Sequence, residues 1–427
     1  MPPPDRPDPS SKKPIPESLS PSKDPRTEFQ SPGVYIEEIS FRSHTIEGVS
    51  TSTAAFAGPT LGGPVGAVTD AVTSFSEFQS IYGDASDIIF TGQPQQKTPN
   101  YVAFAARAFF DNGGRKLYIA RVTSPDGSNR APTTAADYKR ALATLESLAD
   151  ASVVAAPGGA IAGASGIASV APVHAALIAH ASRPGAYRIA VLDPPPSCST
   201  SDVATLRAQA NSTNAALYYP WLTITNPQAR AKLAATINMP PSGFLCGIYA
   251  RTDIARGVYK APANEPIIGA VGFERNLTSG DNDLLNPLGI NCLRFFPGKG
   301  NLVWGARTTS SDPEWKYVNL RRYFLYLEQS IERGTQWVVF EPNGDRLWAA
   351  VRETVSNFLY NEWRNGALMG SKPEEAYFVK CDRTTMTQND LDNGRLVCLI
   401  GIAAVKPAEF VIFRIGQWTA GAKPTVS

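Results

Sequence analysis

The side chains that could do chemistry in this chain are few, and their spacing argues against most of it. Gly158-Gly159-Ala160-Ile161-Ala162-Gly163 follows a strand-like run, where a phosphate-binding turn would sit, but it is not GxGxxG and no GK[ST] follows it. A tight or flexible connection is the reading left for it. Of the three histidines, His44 is isolated, and His174 and His180 are six residues apart. Two imidazoles share one helical face at i and i+4, and no acidic or cysteine partner stands at ligand spacing, so no metal and no cofactor are expected. There is no GxSxG elbow, and no motif marks Cys198, Cys246, Cys292, Cys381 or Cys398 as a nucleophile. The pairs Glu37-Glu38 and Glu374-Glu375 invite an acid–base reading. Neighbours on a strand face opposite ways, which spoils the first, and solvated or interface charge suits both better.

Bulk composition excludes further classes. Forty Lys and Arg oppose 38 Asp and Glu, a formal charge of +2, without the basic stripe of a nucleic-acid binder. The five cysteines are scattered, odd in number and lack CxxC, as expected of reduced thiols in a protein made in the cytosol. No apolar run approaches the roughly 20 residues that cross a bilayer, so no direct membrane insertion is expected. The amino terminus is proline and charge, not the basic stretch and apolar run of a signal peptide. A length of 427 residues suggests two to three domains.

The elements follow from punctuation and periodicity. Residues 1–29 hold nine prolines, five serines and ten charged side chains, too polar to offset their ordering entropy, so a disordered tail is expected. Ser31-Pro32-Gly33 then turns the chain into a short strand, Val34-Tyr35-Ile36-Glu37-Glu38-Ile39. Strands are expected at 53–57 and 117–122, with a helix over 100–110 that places Tyr101, Phe104, Ala105 and Ala108 on one side. A helix near 135–149, a strand at 152–156, a helix near 171–182 and a strand at 187–193 give the pattern of a parallel βαβ unit. From about 300 the pattern becomes α+β. Leu320, Tyr323, Phe324, Leu327 and Ile331 line one face of a helix that Gly334 can end. A buried strand is expected at 336–340, and Asn343 as the cap of a second helix carrying Leu347, Val351, Val355 and Phe358 inward, stopped at Asn365-Gly366. Strands at 376–381, 395–403 and 408–415 complete the reading.

Whole phrases in the carboxy-terminal half then resemble a known family. They include Tyr218-Tyr219-Pro220-Trp221, Pro240-Pro241-Ser242-Gly243, Tyr249-Ala250-Arg251-Thr252-Asp253 and Asn286-Pro287-Leu288-Gly289. Further on stand Trp304-Gly305-Ala306-Arg307-Thr308, Ser311-Asp312-Pro313-Glu314-Trp315 with Arg321-Arg322, Gly334-Thr335-Gln336-Trp337, and Lys406-Pro407-Ala408-Glu409-Phe410. Together with the opening Ser31-Pro32-Gly33-Val34-Tyr35-Ile36-Glu37-Glu38, they resemble the contractile tail sheath proteins of phages, R-type bacteriocins and extracellular contractile injection systems.

That resemblance implies an α/β and α+β multidomain sheath subunit that is not an enzyme. The expected divisions are a Pro/Ser-rich tail at 1–30, an amino-terminal strand arm at 31–50, an amino-terminal sheath region at 51–136 and an α/β domain at 137–299. A carboxy-terminal α+β core facing the tube at 300–407 and a carboxy-terminal strand arm at 408–427 follow. Six subunits per ring would stack around an inner tube and contract to drive it through a target envelope. The implied partners are further copies of the chain, the inner tube protein, and baseplate and terminal cap proteins. Assembly in the cytoplasm, as part of a phage tail or phage-tail-like particle that can be released, follows from the same resemblance. It implies subunit-linking arms at Val34, Tyr35, Ile36 and Ile39, and at Phe410, Val411, Ile412, Phe413 and Ile415. It also implies a tube contact near Arg346 and Arg364. The competing reading from another class is an α/β-hydrolase-like enzyme built on 137–300.

Overall fold

The computed structural model describes residues 45–91, 96–227, 229 and 234–412. In chain order, β1 (Thr53–Gly58), α1 (Phe75–Tyr82), β2 (Ile88–Phe90), β3 (Gln96–Thr98), α2 (Tyr101–Asp111) and β4 (Lys116–Arg121) come first. An alternating run follows: α3 (Ala135–Ala143), β5 (Val153–Ala155), α4 (Ile167–Ala181), β6 (Ile189–Leu192), α5 (Thr200–Ala208) and β7 (Ala215–Tyr219). Next are β8 (Leu222–Thr225), β9 (Thr236–Met239), α6 (Ser242–Arg256), β10 (Glu265–Pro266), β11 (Ala270–Phe273), α7 (Ser279–Leu285), β12 (Ile290–Phe296) and β13 (Gly300–Val303). The last part holds α8 (Val318–Gly334), α9 (Asp345–Arg364), α10 (Pro373–Ala376), β14 (Tyr377–Lys380), α11 (Gln388–Asp392) and β15 (Leu399–Ile402).

One eight-stranded sheet organises the first part, in the order β10-β13-β12-β7-β6-β5-β1-β4. From β4 to β12 neighbouring strands are parallel, and β13 and β10 add an antiparallel edge. The parallel strands are buried on both faces, which is why they read as continuous apolar runs. Side chains still alternate. Val153, Ile189, Val191, Ala216 and Tyr218 enter one core beneath α1, α2 and α6, while Val154, Ala190, Leu192, Leu217 and Tyr219 enter the other beneath α3, α4 and α5. The expected βαβ unit is present as β5, α4 and β6, with Val153 opposite Ile189. The division expected at 136/137 falls inside this sheet, since β1 pairs with β5 in register Ala54–Val153.

Close approach of α2 and α6 depends on glycine. A Cβ at Gly243 would lie 2.5 Å from the Ala105 Cα, and one at Gly247 would lie 2.5 Å from the Phe109 carbonyl oxygen. No side chain fits at either position without parting the helices.

A separate core forms from α8, α9 and the β14–β15 hairpin. The stripe foreseen on α8 and the inward Leu347, Val351, Val355 and Phe358 of α9 all pack there. Val318, at the start of α8, belongs instead to the sheet core, so this helix spans both units. The amino-terminal lead-in crosses α8: Val49 N–H donates to Ser330 Oγ at 3.1 Å. A Cβ on Gly334 would meet Ile46 at 2.5 Å, so this glycine serves helix packing as well as helix termination.

Three expectations need correction. The strand expected at 336–340 is a 3₁₀ turn over Gln336–Val338, followed by Val339 and Phe340, which are 64% and 102% exposed. Phe340 has a φ of 70°, a left-handed conformation that ends any extended run. The apolar side chains of Val339 and Phe340 face outward instead of marking burial. The cap of α9 is Gly344, while the Asn343 side chain accepts from Trp348 Nε1 at 2.7 Å. Finally, residues 408–412, the described part of the strand expected at 408–415, form no strand and pair with none among the described residues.

Candidate functional site

The crevice at the carboxyl ends of parallel strands is where open α/β sheets usually bind ligands. Here its polar groups are spent internally. Asp193, just past β6, accepts from Ser242 N at 2.8 Å and Ser242 Oγ at 2.6 Å at the start of α6, and from Gly158 N at 3.3 Å. Full burial pushes its pKa up to about 7, with those donors working the other way. His174 Nε2 bonds the Asp193 carbonyl oxygen at 2.8 Å, and burial lowers its pKa to about 4. His180 sits 2.6 Å from the guanidinium of buried Arg188, and burial with that neighbouring charge lowers its pKa to about 3. Both histidines are thus neutral core side chains. Trp221 donates to the Pro194 carbonyl at 2.7 Å and packs edge-on against Tyr101, closing the crevice further.

Two polar clusters tie α8 to its surroundings. Arg322 and Asp253 form a buried pair, with side chains 3% and 4% exposed and NH1–Oδ1 and NH2–Oδ2 distances of 2.9 and 2.5 Å. Thr51 Oγ1 donates to Asp253 Oδ2 at 2.6 Å, Arg322 NH2 donates to the Thr51 carbonyl at 3.0 Å, and the guanidinium lies 4.7 Å over the Tyr249 ring. Burial alone would lower the Arg322 pKa, but the Asp253 charge and the bonds to it hold it above the ordinary value. One ion pair therefore joins the lead-in, α6 and α8. The second cluster links α8 to α9. Glu362 accepts from Tyr323 at 3.1 Å and Tyr326 at 2.9 Å, and burial raises its pKa against those two donors.

The carboxy-terminal segment is anchored at Glu409. Its carboxylate takes two hydrogen bonds from Arg307, Nε to Oε1 and NH2 to Oε2, both at 2.7 Å. Asn286 Nδ2 adds a third at 2.9 Å and Tyr317 a fourth at 3.0 Å. Partial burial opposes the charge, yet these donors and the Arg307 cation bring the Glu409 pKa down to about 2. Beside the anchor runs a groove of about 820 Å³ lined by Tyr259, Trp304, Tyr317 and Phe410. Phe410 and Val411 line its rim, and Phe410, Val411 and Ile412 are 70%, 69% and 79% exposed.

Of the linking residues expected from the sequence, Phe410, Val411 and Ile412 stand free at this exit. Val34, Tyr35, Ile36, Ile39, Phe413 and Ile415 lie outside the described residues. Arg346 and Arg364 are exposed on α9. Eighteen residues are five full turns, so they share one face about 27 Å apart, with exposed Glu353 between them. Sequence reading missed Glu409 and the Asp253–Arg322 pair, although all three residues lie within the phrases that carried the resemblance. A separation of 69 residues hides the pair from any local pattern.

Comparison with known proteins agrees with this geometry. The family model for the phage tail sheath protein central domain matches residues 131–309, and that for the phage tail sheath C-terminal domain matches 310–417. A putative prophage major tail sheath protein of Pseudomonas aeruginosa (strain UCBPP-PA14) is 27% identical over 207 residues, 46% of this chain and 50% of the relative. The tail sheath protein of Enterobacteria phage T4 is 24% identical over 188 residues, 43% of this chain and 28% of the relative. The chain thus spans about half or less of the length of these curated relatives. Among solved structures, the helical sheath of the anti-feeding prophage in the contracted state superposes with a TM-score of 0.73 at 29% identity, covering 90% of this chain and 99% of that one. The sheath complex of an extracellular contractile injection system, PVC, in the contracted state gives 0.70 at 29% identity, covering 91% and 97%. The hydrolase-like alternative finds no support in these matches.

Proposed function

Because the chain belongs to the phage tail sheath family, we propose that it is the subunit of a contractile sheath. It polymerises with copies of itself as hexameric rings around an inner tube and contracts to drive that tube through a target envelope. The observation that carries this reading is the carboxy-terminal exit: Glu409 is held by three side chains, and the three residues after it are apolar and exposed. A segment fixed at one point and unpaired beyond it suits strand addition to a neighbouring subunit, where backbone bonds bind and alternate side chains fill pockets. Val34–Ile39 serves the same role from the other end. The unit at 300–407 faces the tube, with Arg346 and Arg364 toward acidic tube groups, and 137–299 lies farther out. Contraction draws on subunit packing, so no cofactor is consumed. Baseplate and cap proteins bound the cylinder, which assembles in the cytoplasm and can leave the cell with its particle.

Electron microscopy of the purified chain tests the reading. Cylinders are expected, and monodisperse small oligomers at every concentration would overturn it. Replacing Phe410, Val411 and Ile412 together by serine should leave a folded monomer that does not polymerise. Normal cylinders from that variant would refute strand donation while leaving the sheath itself intact.

A further inference from the structure

We infer that Cys381 and Cys398 form an oxidation site, a cross-strand thiol pair that closes to an intrachain disulfide when an oxidised low-molecular-weight disulfide such as oxidised glutathione accepts the electrons. The ladder carries this inference. β14 and β15 pair antiparallel from Tyr377–Ile402 to Lys380–Leu399, which makes Cys381 and Cys398 the next opposed pair. Ala403 N–H donates to the Ala376 carbonyl at 2.8 Å, so Ala376 and Ala403 are a hydrogen-bonded pair. Such pairs alternate along an antiparallel ladder, which puts Phe378–Gly401 and Lys380–Leu399 in the bonded class and Cys381–Cys398 in the non-bonded class. In that class opposed Cα atoms approach to about 4.5 Å and side chains are nearest, within the span a disulfide bridges. The two thiols lie close enough to perturb each other's titration, and all five cysteines are free.

Access sets the order of events. Cys381 is fully buried against α9, whereas Cys398 is partly exposed. Cys398, as thiolate, attacks one sulfur of oxidised glutathione, breaks its S–S bond and releases one glutathione thiolate. Cys381, as thiolate, then attacks the Cys398 sulfur of the mixed disulfide and releases the second. Both protein thiols lose their protons to solvent, and two electrons reduce one glutathione disulfide to two glutathiones. Burial, with the neighbouring Cys381, pushes the Cys398 pKa up to about 12, so the pair reacts slowly at neutral pH and about tenfold faster per pH unit.

The inference needs no assembly and is tested on the full-length chain in glutathione buffers of graded redox ratio, with acid quenching, denaturation, alkylation and peptide mapping. The expected product links Cys381 to Cys398 and leaves Cys198, Cys246 and Cys292 reduced. Closing the intervening loop should slow hydrogen exchange across Tyr377–Ile402 on the order of a hundredfold. Cys381→Ser should trap a stable glutathione adduct at Cys398, and Cys398→Ser should take up none. A persistent adduct at Cys398 in the unaltered protein, or no thiol loss in the most oxidising buffer at pH 9, would overturn the assignment.

Discussion

The sheet unit and the carboxy-terminal unit bury their strands in opposite ways. Every residue of β1, β5, β6 and β7 is buried, whereas no residue of β14 or β15 is. Ten of the twenty large apolar side chains exposed among the described residues come from 339–412, although the sheet unit is far longer. A two-stranded hairpin with open edges is marginal in water, and exposed apolar surface gives up roughly 25 cal/mol per Å² that burial would recover. The sheet unit is thus complete within one chain, while the carboxy-terminal unit keeps surface for covering by something else. The contractile sheath proposed above would use both: a rigid body to rotate and an unfinished surface by which to remain attached.

The largest effects should fall where the two units meet. Asp253→Ala leaves Arg322 buried without its counter-charge and should cost about 3–5 kcal/mol in denaturant unfolding. A cost no greater than that of an exposed ion pair would show that the joint does not couple the units. Next comes steric packing. Gly247→Ala places a methyl against the Phe109 carbonyl and should cost about 1–3 kcal/mol. Gly401→Ala in the hairpin meets only the half-exposed Phe378 ring, which can swing away, so its cost should stay within about 0.5 kcal/mol. Equal costs at both glycines would break the comparison.

A pH series sharpens it from another side. The folded pKa of Asp193 is raised to about 7 from an ordinary value near 4, so the folded state binds the proton more tightly than the unfolded chain. Stability should therefore be greatest below about pH 4 on this account and fall as pH rises toward about 7, with the amino terminus of α6 moderating the slope. Asp193→Asn should flatten that part of the profile measured by denaturant midpoint. Glu362 has the same sign, because its pKa is also raised by burial, so Glu362→Gln should remove a parallel decline arising between α8 and α9.

What the sequence made legible follows the same division. Period-3.6 stripes placed α8 and α9, and uninterrupted apolar runs placed β5 and β6, because each signal comes from a single element facing one core. The run at 336–340 misled because Val339 and Phe340 have the composition of a buried strand and the exposure of a contact surface. Asp253, Arg322 and Glu409 could not be read as a site at all. Their meaning lies in partners brought together by the fold, and no periodicity records that. The residues at 410–412 were legible as an apolar arm meant for a neighbouring subunit through the family resemblance, whereas periodicity alone does not tell a strand completed by another chain from one completed internally.

The smallest effect on the chain alone, and the sharpest test of its assembled role, concerns Arg346 and Arg364. Both stand on the exposed face of α9, five turns apart, with no ion pair among the described residues. Reversing both to glutamate removes no buried contact, so the monomer's unfolding free energy should change by no more than about 0.5 kcal/mol. Any effect on co-assembly with a tube must then come from charge across the interface rather than from the fold. Individual exposed pairs contribute only about 0–1 kcal/mol, which is weak enough to release during contraction yet additive over many subunits. Sedimentation of sheath with tube should therefore fall in the double variant and show a steeper dependence on salt in the unaltered protein. Undiminished co-sedimentation by a variant of unchanged stability would remove these arginines from the tube contact and leave α9's exposed face to another neighbour.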